Sequence, residues 1–140
     1  MTRPRVAVTG LGVVSSIGIG WPAFWEALLA GRCGIRKIQY LETSAYPTQY
    51  GGEVPAFDPL PFMDRAVAER LGRGSQFAVA AAKMALDDAA LGVPIHPEVR
   101  AGVCLGTTMA DVQALEAVHT AWVTRGARGL RGSLMLRYPA

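Results

Sequence analysis

The chain opens on a short apolar run, Arg5–Val8, with β-branched residues at Val6 and Val8. The run stops at Thr9-Gly10-Leu11-Gly12, a pattern that predicts a buried strand followed by a tight loop. Val13, Val14 and Ile17 carry the apolar character on through Ser15 and Gly18. Pro22 suits a first helical position. Trp21, Phe24, Trp25, Leu28 and Leu29 recur at helical spacing, and Gly31 ends that helix.

From Cys33 to Ala68 the apolar period is lost. Ile35–Leu41 can hold a short strand, and Gly51-Gly52-Glu53-Val54-Pro55 reads as a strand edge or bulge, because Pro55 has no N–H to donate. Pro55, Pro59 and Pro61 then make an irregular connection. Long connections of this kind tend to be functional or interfacial.

Ser75 is positioned to cap a helix over Gln76–Ala90. Its Ala78, Ala80, Ala81, Ala82, Ala85, Ala89 and Ala90 let neighbours approach the backbone, so burial on more than one face is expected. Gly92 closes the helix and Pro94 bars its continuation. Ala101–Leu105 predicts a second buried strand, stopped by Gly106. Thr107 or Thr108 can cap a third helix, with Val112, Leu115, His119 and Trp122 on one apolar stripe and Gly126 at its end. The order is strand, helix, irregular segment, helix, strand, helix. That is an α/β pattern and predicts a parallel sheet, although the strands are too few for a complete doubly wound domain.

Composition narrows the class. With 51% hydrophobic and 18% charged residues, the chain is not intrinsically disordered. Its 16 Gly and 9 Pro argue against a simple helical bundle, and 2 Cys cannot make a disulfide framework. The formal charge of +3 is uneven: residues up to Glu116 hold ten basic and eleven acidic groups, net −1, and Arg125, Arg128, Arg131 and Arg137 add +4 after it. That arginine stretch reads either as a solvated end or as a patch for an anionic partner. It lacks the aromatic or amide interleaving of a nucleic-acid face. The run Val6–Ile19 is too short and too Gly-rich to span a membrane and has no clean signal-peptide cleavage site. The expected setting is soluble, reducing and cytoplasmic.

Candidate chemistry is sparse. Gly10-Leu11-Gly12-Val13-Val14-Ser15 nearly matches the dinucleotide fingerprint, but Ser16-Ile17-Gly18-Ile19-Gly20-Trp21 intervene before the helix signal at Pro22. There is no G-x-S-x-G elbow and no C-x-x-C or H-E-x-x-H metal spacing. Cys33 stands among Arg32 and Arg36, which can lower a thiol pKa, but has no evident base. Cys104, in the second predicted strand, reads as a small hydrophobe. His96 lies in a Pro-flanked loop and His119 on the apolar stripe. Asp87 and Asp88 diverge by about 100° on a helix and do not form a carboxylate pair.

The succession of motifs resembles a known family. Arg5-Val6-Ala7-Val8-Thr9-Gly10-Leu11-Gly12-Val13-Val14-Ser15 is similar to the opening of the β-ketoacyl-acyl carrier protein synthases. Phe24-Trp25-Glu26-Ala27-Leu28-Leu29-Ala30-Gly31 with Gly34-Ile35 resembles their first helix and turn. Gly51-Gly52-Glu53-Val54-Pro55-Ala56-Phe57-Asp58-Pro59, Ser75-Gln76-Phe77-Ala78 and Gly102-Val103-Cys104-Leu105-Gly106-Thr107-Thr108-Met109 follow in the family's order. Two places depart from it. Ala110-Asp111 stands where the family often has Gly-Gly. Leu71-Gly72-Arg73-Gly74 stands where an Asp and a large residue often precede Ser-Gln-Phe.

The resemblance implies a thiolase-like α/β fold, of which residues 1–140 are the first half of a layered α/β/α/β/α sandwich, incomplete and ending before the catalytic Cys. It implies an acyltransferase that condenses an acyl thioester with malonyl-acyl carrier protein by decarboxylative Claisen chemistry, in fatty acid or polyketide synthesis. The nucleophilic Cys, two His and a Lys of that chemistry fall beyond Tyr138-Pro139-Ala140, so no catalytic residue is assigned and the chain alone is expected to be inactive. Thr107, Thr108 and Met109 map to the wall of the acyl pocket, and Leu134-Met135-Leu136 to a region near a twofold axis. No metal or cofactor is implied. The implied partners are acyl carrier protein bearing acyl and malonyl groups and, in the complete enzyme, a second copy; nucleic acid and membrane are not among them. The alternative is a stand-alone module of the same fold that docks carrier protein or another subunit without catalysis.

Overall fold

A computed structural model describes residues 5–108, 111–130 and 132, and falls into two compact units. The first comprises the described residues up to Asp58 together with Ala81–Val93. It begins with an extended segment that makes no strand ladder. Val6 and Val8 are 93% and 81% exposed, so the expected buried strand has the right composition but no paired neighbour among the described residues. A strand needs a partner backbone and a covered face to be stable.

A hairpin that the apolar pattern does not reveal comes next: β1 (Val14–Ser15) pairs antiparallel with β2 (Gly18–Ile19), Val14 opposite Ile19. Ser15 closes it. Its Oγ accepts from the Gly18 amide at 3.1 Å and donates to the Gly18 carbonyl at 2.9 Å. Helix α1 (Trp21–Leu29) follows, with proline in its first turn. It ends as expected at Gly31. The Gly31 amide donates to Leu28 O and the Arg32 amide to Ala27 O, the paired bonds of a Schellman end, with Gly31 at φ +63°.

A second antiparallel pair joins β3 (Arg36–Lys37) to β4 (Tyr50–Gly51). Just past the end of β3, the Glu53 carboxylate accepts from the amides of Gln39 and Tyr40 at 2.8 and 3.0 Å, at the end of the ladder where the register would bring Thr48 and Pro47. The unit is completed by the second half of helix α3 (Arg73–Asp88), from Ala81 onward. Ala81, Ala85 and Ala89 present one face to the Gly10–Gly12 loop. A Cβ on Gly12 would run into the Ala81 carbonyl, and one on Gly10 into the Ala85 carbonyl.

The second unit comprises Pro59–Ala80 and the described residues from Pro94 onward. Its first helix, α2 (Arg65–Ala68), is a single turn in the segment read as irregular. Helix α3 starts at Arg73, ahead of the expected Gln76, so Ser75 lies inside its first turn and does not cap it. Gly72 takes that place, its carbonyl accepting from the Gln76 amide at 2.9 Å. Ala80 is the one residue of α3 that is fully buried, so the expected burial on several faces is not found. Helix α4 (Val112–Arg125) ends at Gly126, as expected, and a 3-10 turn, Gly126–Gly129, follows. Its covered positions are Ala114, Val118 and Ala121. The expected stripe of Val112, Leu115, His119 and Trp122 faces outward.

Ala101–Leu105 is extended without a ladder, and Val103 is 99% exposed. Both strand pairs among the described residues are antiparallel, in place of the expected parallel sheet. Two-residue ladders can form between neighbouring segments, whereas a parallel pair needs a crossover and a wide ladder. Among the described residues no helix is long and apolar enough to cross a membrane.

Candidate functional site

The segment that could carry a binding role leads from Ala101 into α4. Thr107 and Thr108 lie on it in irregular backbone, both exposed. Neither caps α4. Asp111 does: its carboxylate accepts from the Ala114 amide at 3.3 Å, satisfying one of the helix's first free N–H groups. A carboxylate there also suits the positive end of the helix dipole. Asp111 is only 6% exposed. Met109, the third expected wall residue, and Leu134-Met135-Leu136 lie outside the described residues.

Beside this cap lies an open pocket of about 330 Å³ between the starts of α3 and α4, lined by Gly72, Arg73, Gln76, Asp111, Gln113 and Ala117 among others. Thr107 and Thr108 do not line it. The Gln76 side-chain amide donates to the Ala68 carbonyl at 2.9 Å, which ties α3 to the end of α2. The Arg73 guanidinium sits 5.0 Å from the centre of the Phe77 ring.

The Gly10-Leu11-Gly12 turn is occupied by the protein itself. The Leu11 amide donates to Asp88 Oδ2 at 2.9 Å, and Trp21 Nε1 donates to Asp88 Oδ1 at 3.0 Å. A pyrophosphate would need amides of this turn and would meet a carboxylate instead. The glycines serve close packing against α3, which disposes of the dinucleotide reading. Asp88, read from sequence only as half of a non-pair, is the residue that clasps the loop and α1. No period or spacing signals that role, because both partners lie more than sixty positions away in the chain.

Cys33 and Cys104 are both exposed, so Cys104 is not the buried hydrophobe expected of a strand interior. His96 is exposed; its Nδ1 accepts from the Glu98 amide at 3.4 Å and lies 4.0 Å from the Glu98 carboxylate. His119 is exposed on α4. Among the described residues, no three His, Cys, Asp or Glu side chains gather as a metal site would require.

The family description "Beta-ketoacyl synthase, N-terminal domain" matches residues 3–134. The chain belongs to the β-ketoacyl synthase family. Among its relatives, the 3-oxoacyl-[acyl-carrier-protein] synthase 2 of Vibrio cholerae is 34% identical over 128 residues, covering 91% of this chain and 31% of that protein. The enzyme of the same name from Synechocystis is 36% identical over 126 residues, covering 90% and 30%. This β-ketoacyl synthase chain thus spans about a third of the length of the curated relatives it matches. Among solved structures, the ishigamide ketosynthase/chain length factor superposes with a TM-score of 0.88 at 34% identity, over 97% of this chain and 34% of that one. A β-ketoacyl synthase from Burkholderia phymatum gives 0.74 at 25% identity, over 93% and 32%. The chain therefore has the thiolase-like α/β fold of the ketosynthases over 97% of its own length.

Proposed function

We propose that residues 1–140 are the amino-terminal domain of an enzyme that condenses an acyl thioester with malonyl-acyl carrier protein, in fatty acid or polyketide synthesis. The observation that carries this reading is the family match over residues 3–134, joined to coverage of only 31% of the relatives' length. In this reading the acyl group passes from its carrier thioester to a Cys thiolate and the carrier thiol departs. Malonyl carrier then loses CO₂, and the electron pair left on carbon attacks the acyl-enzyme carbonyl. The β-ketoacyl carrier leaves and the thiolate is restored. The Cys, the two His and the Lys for these steps lie outside residues 1–140, and Cys33 and Cys104 take no part.

The scarcity of core supports the reading. The buried apolar side chains among the described residues are Ala27, Phe57, Ala68, Ala80 and Ala114, four of them methyl groups. Val6, Val8, Val103 and Leu105 carry strand-type side chains with no ladder, the kind of edge that other strands normally cover. Thr107, Thr108 and Met109 form part of the acyl-pocket wall in this reading.

Acyl carrier protein is the proposed partner and cytoplasm the proposed setting, with a second copy completing the enzyme. A structure described as a type II acyl-carrier protein in complex with its ketosynthase shares the fold at 21% identity and a TM-score of 0.74.

The test is condensation itself. Protein from the complete reading frame, given acyl- and malonyl-carrier thioesters, yields a β-ketoacyl product by mass spectrometry, and residues 1–140 alone yield none. Product from the 140-residue chain that vanishes in Cys33→Ser or Cys104→Ser would overturn the reading. Failure of the complete protein to condense any donor would favour the docking module.

A further inference from the structure

The two departures from the family pattern meet in space. Gly72 lies in one and Asp111 in the other, and a Cβ built on Gly72 would fall inside the Asp111 carboxylate. Gly72 is not a turn glycine. Its φ is outside the left-handed range that Gly20, Gly31 and Gly126 occupy, so its backbone would accept alanine. What it lacks is room. Asp111, nearly fully buried, uses that room while its Oδ1 holds the first turn of α4.

We propose that Gly72 and Asp111 are one lock, in which the missing side chain at the head of α3 seats the carboxylate that caps α4. The lock fixes the start of α4, and Asp111 is thereby a positioning residue for the Thr107–Thr108 segment that ends three positions before it. The role of that segment as an acyl-pocket wall rests on the proposed function; the lock does not.

Neither side chain can change alone. Gly72→Ala forces a methyl against a buried carboxylate attached to a helix start. Overpacking of this kind raises the unfolded-to-folded ratio roughly 5- to 140-fold. Asp111→Ala removes the cap, for about a fivefold rise, and opens the space. In that background Gly72→Ala has nothing to strike and changes the ratio less than about twofold, the tolerance expected of uncoupled sites.

The experiment is a double-mutant cycle in the protein from its complete reading frame, with Gly72→Ala, Asp111→Ala and both. Chemical unfolding gives the ratios, and hydrogen exchange is followed in peptides over 105–112 and over α1. The expected result is rescue, with the double variant more stable than Gly72→Ala. In Asp111→Ala, exchange should rise about fivefold over 105–112 while α1 is unchanged. Additive losses in the cycle, or a double variant no better than Gly72→Ala, overturn the lock. Rescue with equal acceleration in both peptides overturns the positioning role. Neither readout uses condensing activity, so a protein that fails to condense sinks the proposed function and leaves the lock to be decided by these results. In a condensing protein, Asp111→Ala also shifts the ratio of long- to short-chain donor turnover, with Asp111→Asn restoring it. An unchanged ratio overturns the positioning role.

Discussion

Gly12→Ala should be among the most damaging single-methyl changes in the amino-terminal segment. The added Cβ would enter the Ala81 carbonyl and stand 2.9 Å from the Ala85 amide nitrogen. Both are backbone atoms of α3, so no rotamer change relieves the clash. Either the loop or the helix must shift, and the Asp88 bonds to Leu11 and Trp21 hold the two together. Overpacking without a flexible neighbour costs about 1–3 kcal/mol. Gly92→Ala is the matched control. Nothing lies within 4 Å of its Cβ position and its φ is not left-handed. By restricting the unfolded chain, that change should stabilise by about 0.4–1 kcal/mol. Urea unfolding of both variants in the complete protein separates the effects, with a lower midpoint for Gly12→Ala and an equal or higher one for Gly92→Ala at unchanged slope. Equal midpoints would refute the close-packing role of Gly12 and reopen the question of what that turn serves.

Asp88→Ala removes the acceptor for Leu11 and Trp21 and should cost about 1–3 kcal/mol, toward the lower end because both bonds are exposed. The Trp21 indole N–H resonance reports the loss directly, and an unmoved resonance would contradict the clasp. The Ser44 amide holds the Glu42 carboxyl below its ordinary value of 4.5. A depressed carboxyl adds stability above its unfolded pKa and loses it as pH falls through the folded one. Glu42→Gln should therefore lower stability slightly at pH 7 and flatten the small decline below pH 4.5, as unfolding at several pH values will show. In the complete enzyme, Met109→Phe should cut turnover of long acyl donors roughly 10- to 60-fold relative to short ones, since two or three blocked methylenes are worth about 0.8 kcal/mol each. Equal losses at all chain lengths with a lower melting temperature would return Met109 to a packing role.

Local rules account for what could be read in advance. Pro22 and Gly31 bracket α1 because each acts through its own backbone, and Gly126 ends α4 for the same reason. The Val6–Val8 and Val103–Leu105 segments show strand composition, yet a ladder depends on partner backbone that composition does not supply. The outward stripe of α4 misled because large apolar residues signal burial only when something covers them. The covered face instead holds Ala114, Val118 and Ala121. Asp111 displaced Thr107 and Thr108 as the cap because a helix start tolerates any Asp, Ser or Thr in register, and register is settled by packing against Gly72. Gly72 and Asp111 were each visible as a departure from the family pattern, but only their contact shows that the two are one feature.

The position of the acylated cysteine tests the central claim most directly. The complete protein is incubated with an acyl-carrier thioester without malonyl donor, digested, and the acylated peptide identified by mass spectrometry. The acyl group should be found on a Cys outside residues 1–140, with Cys33 and Cys104 unmodified. An acyl thioester on Cys33 or Cys104, lost together with condensation when that residue is changed to Ser, would contradict it.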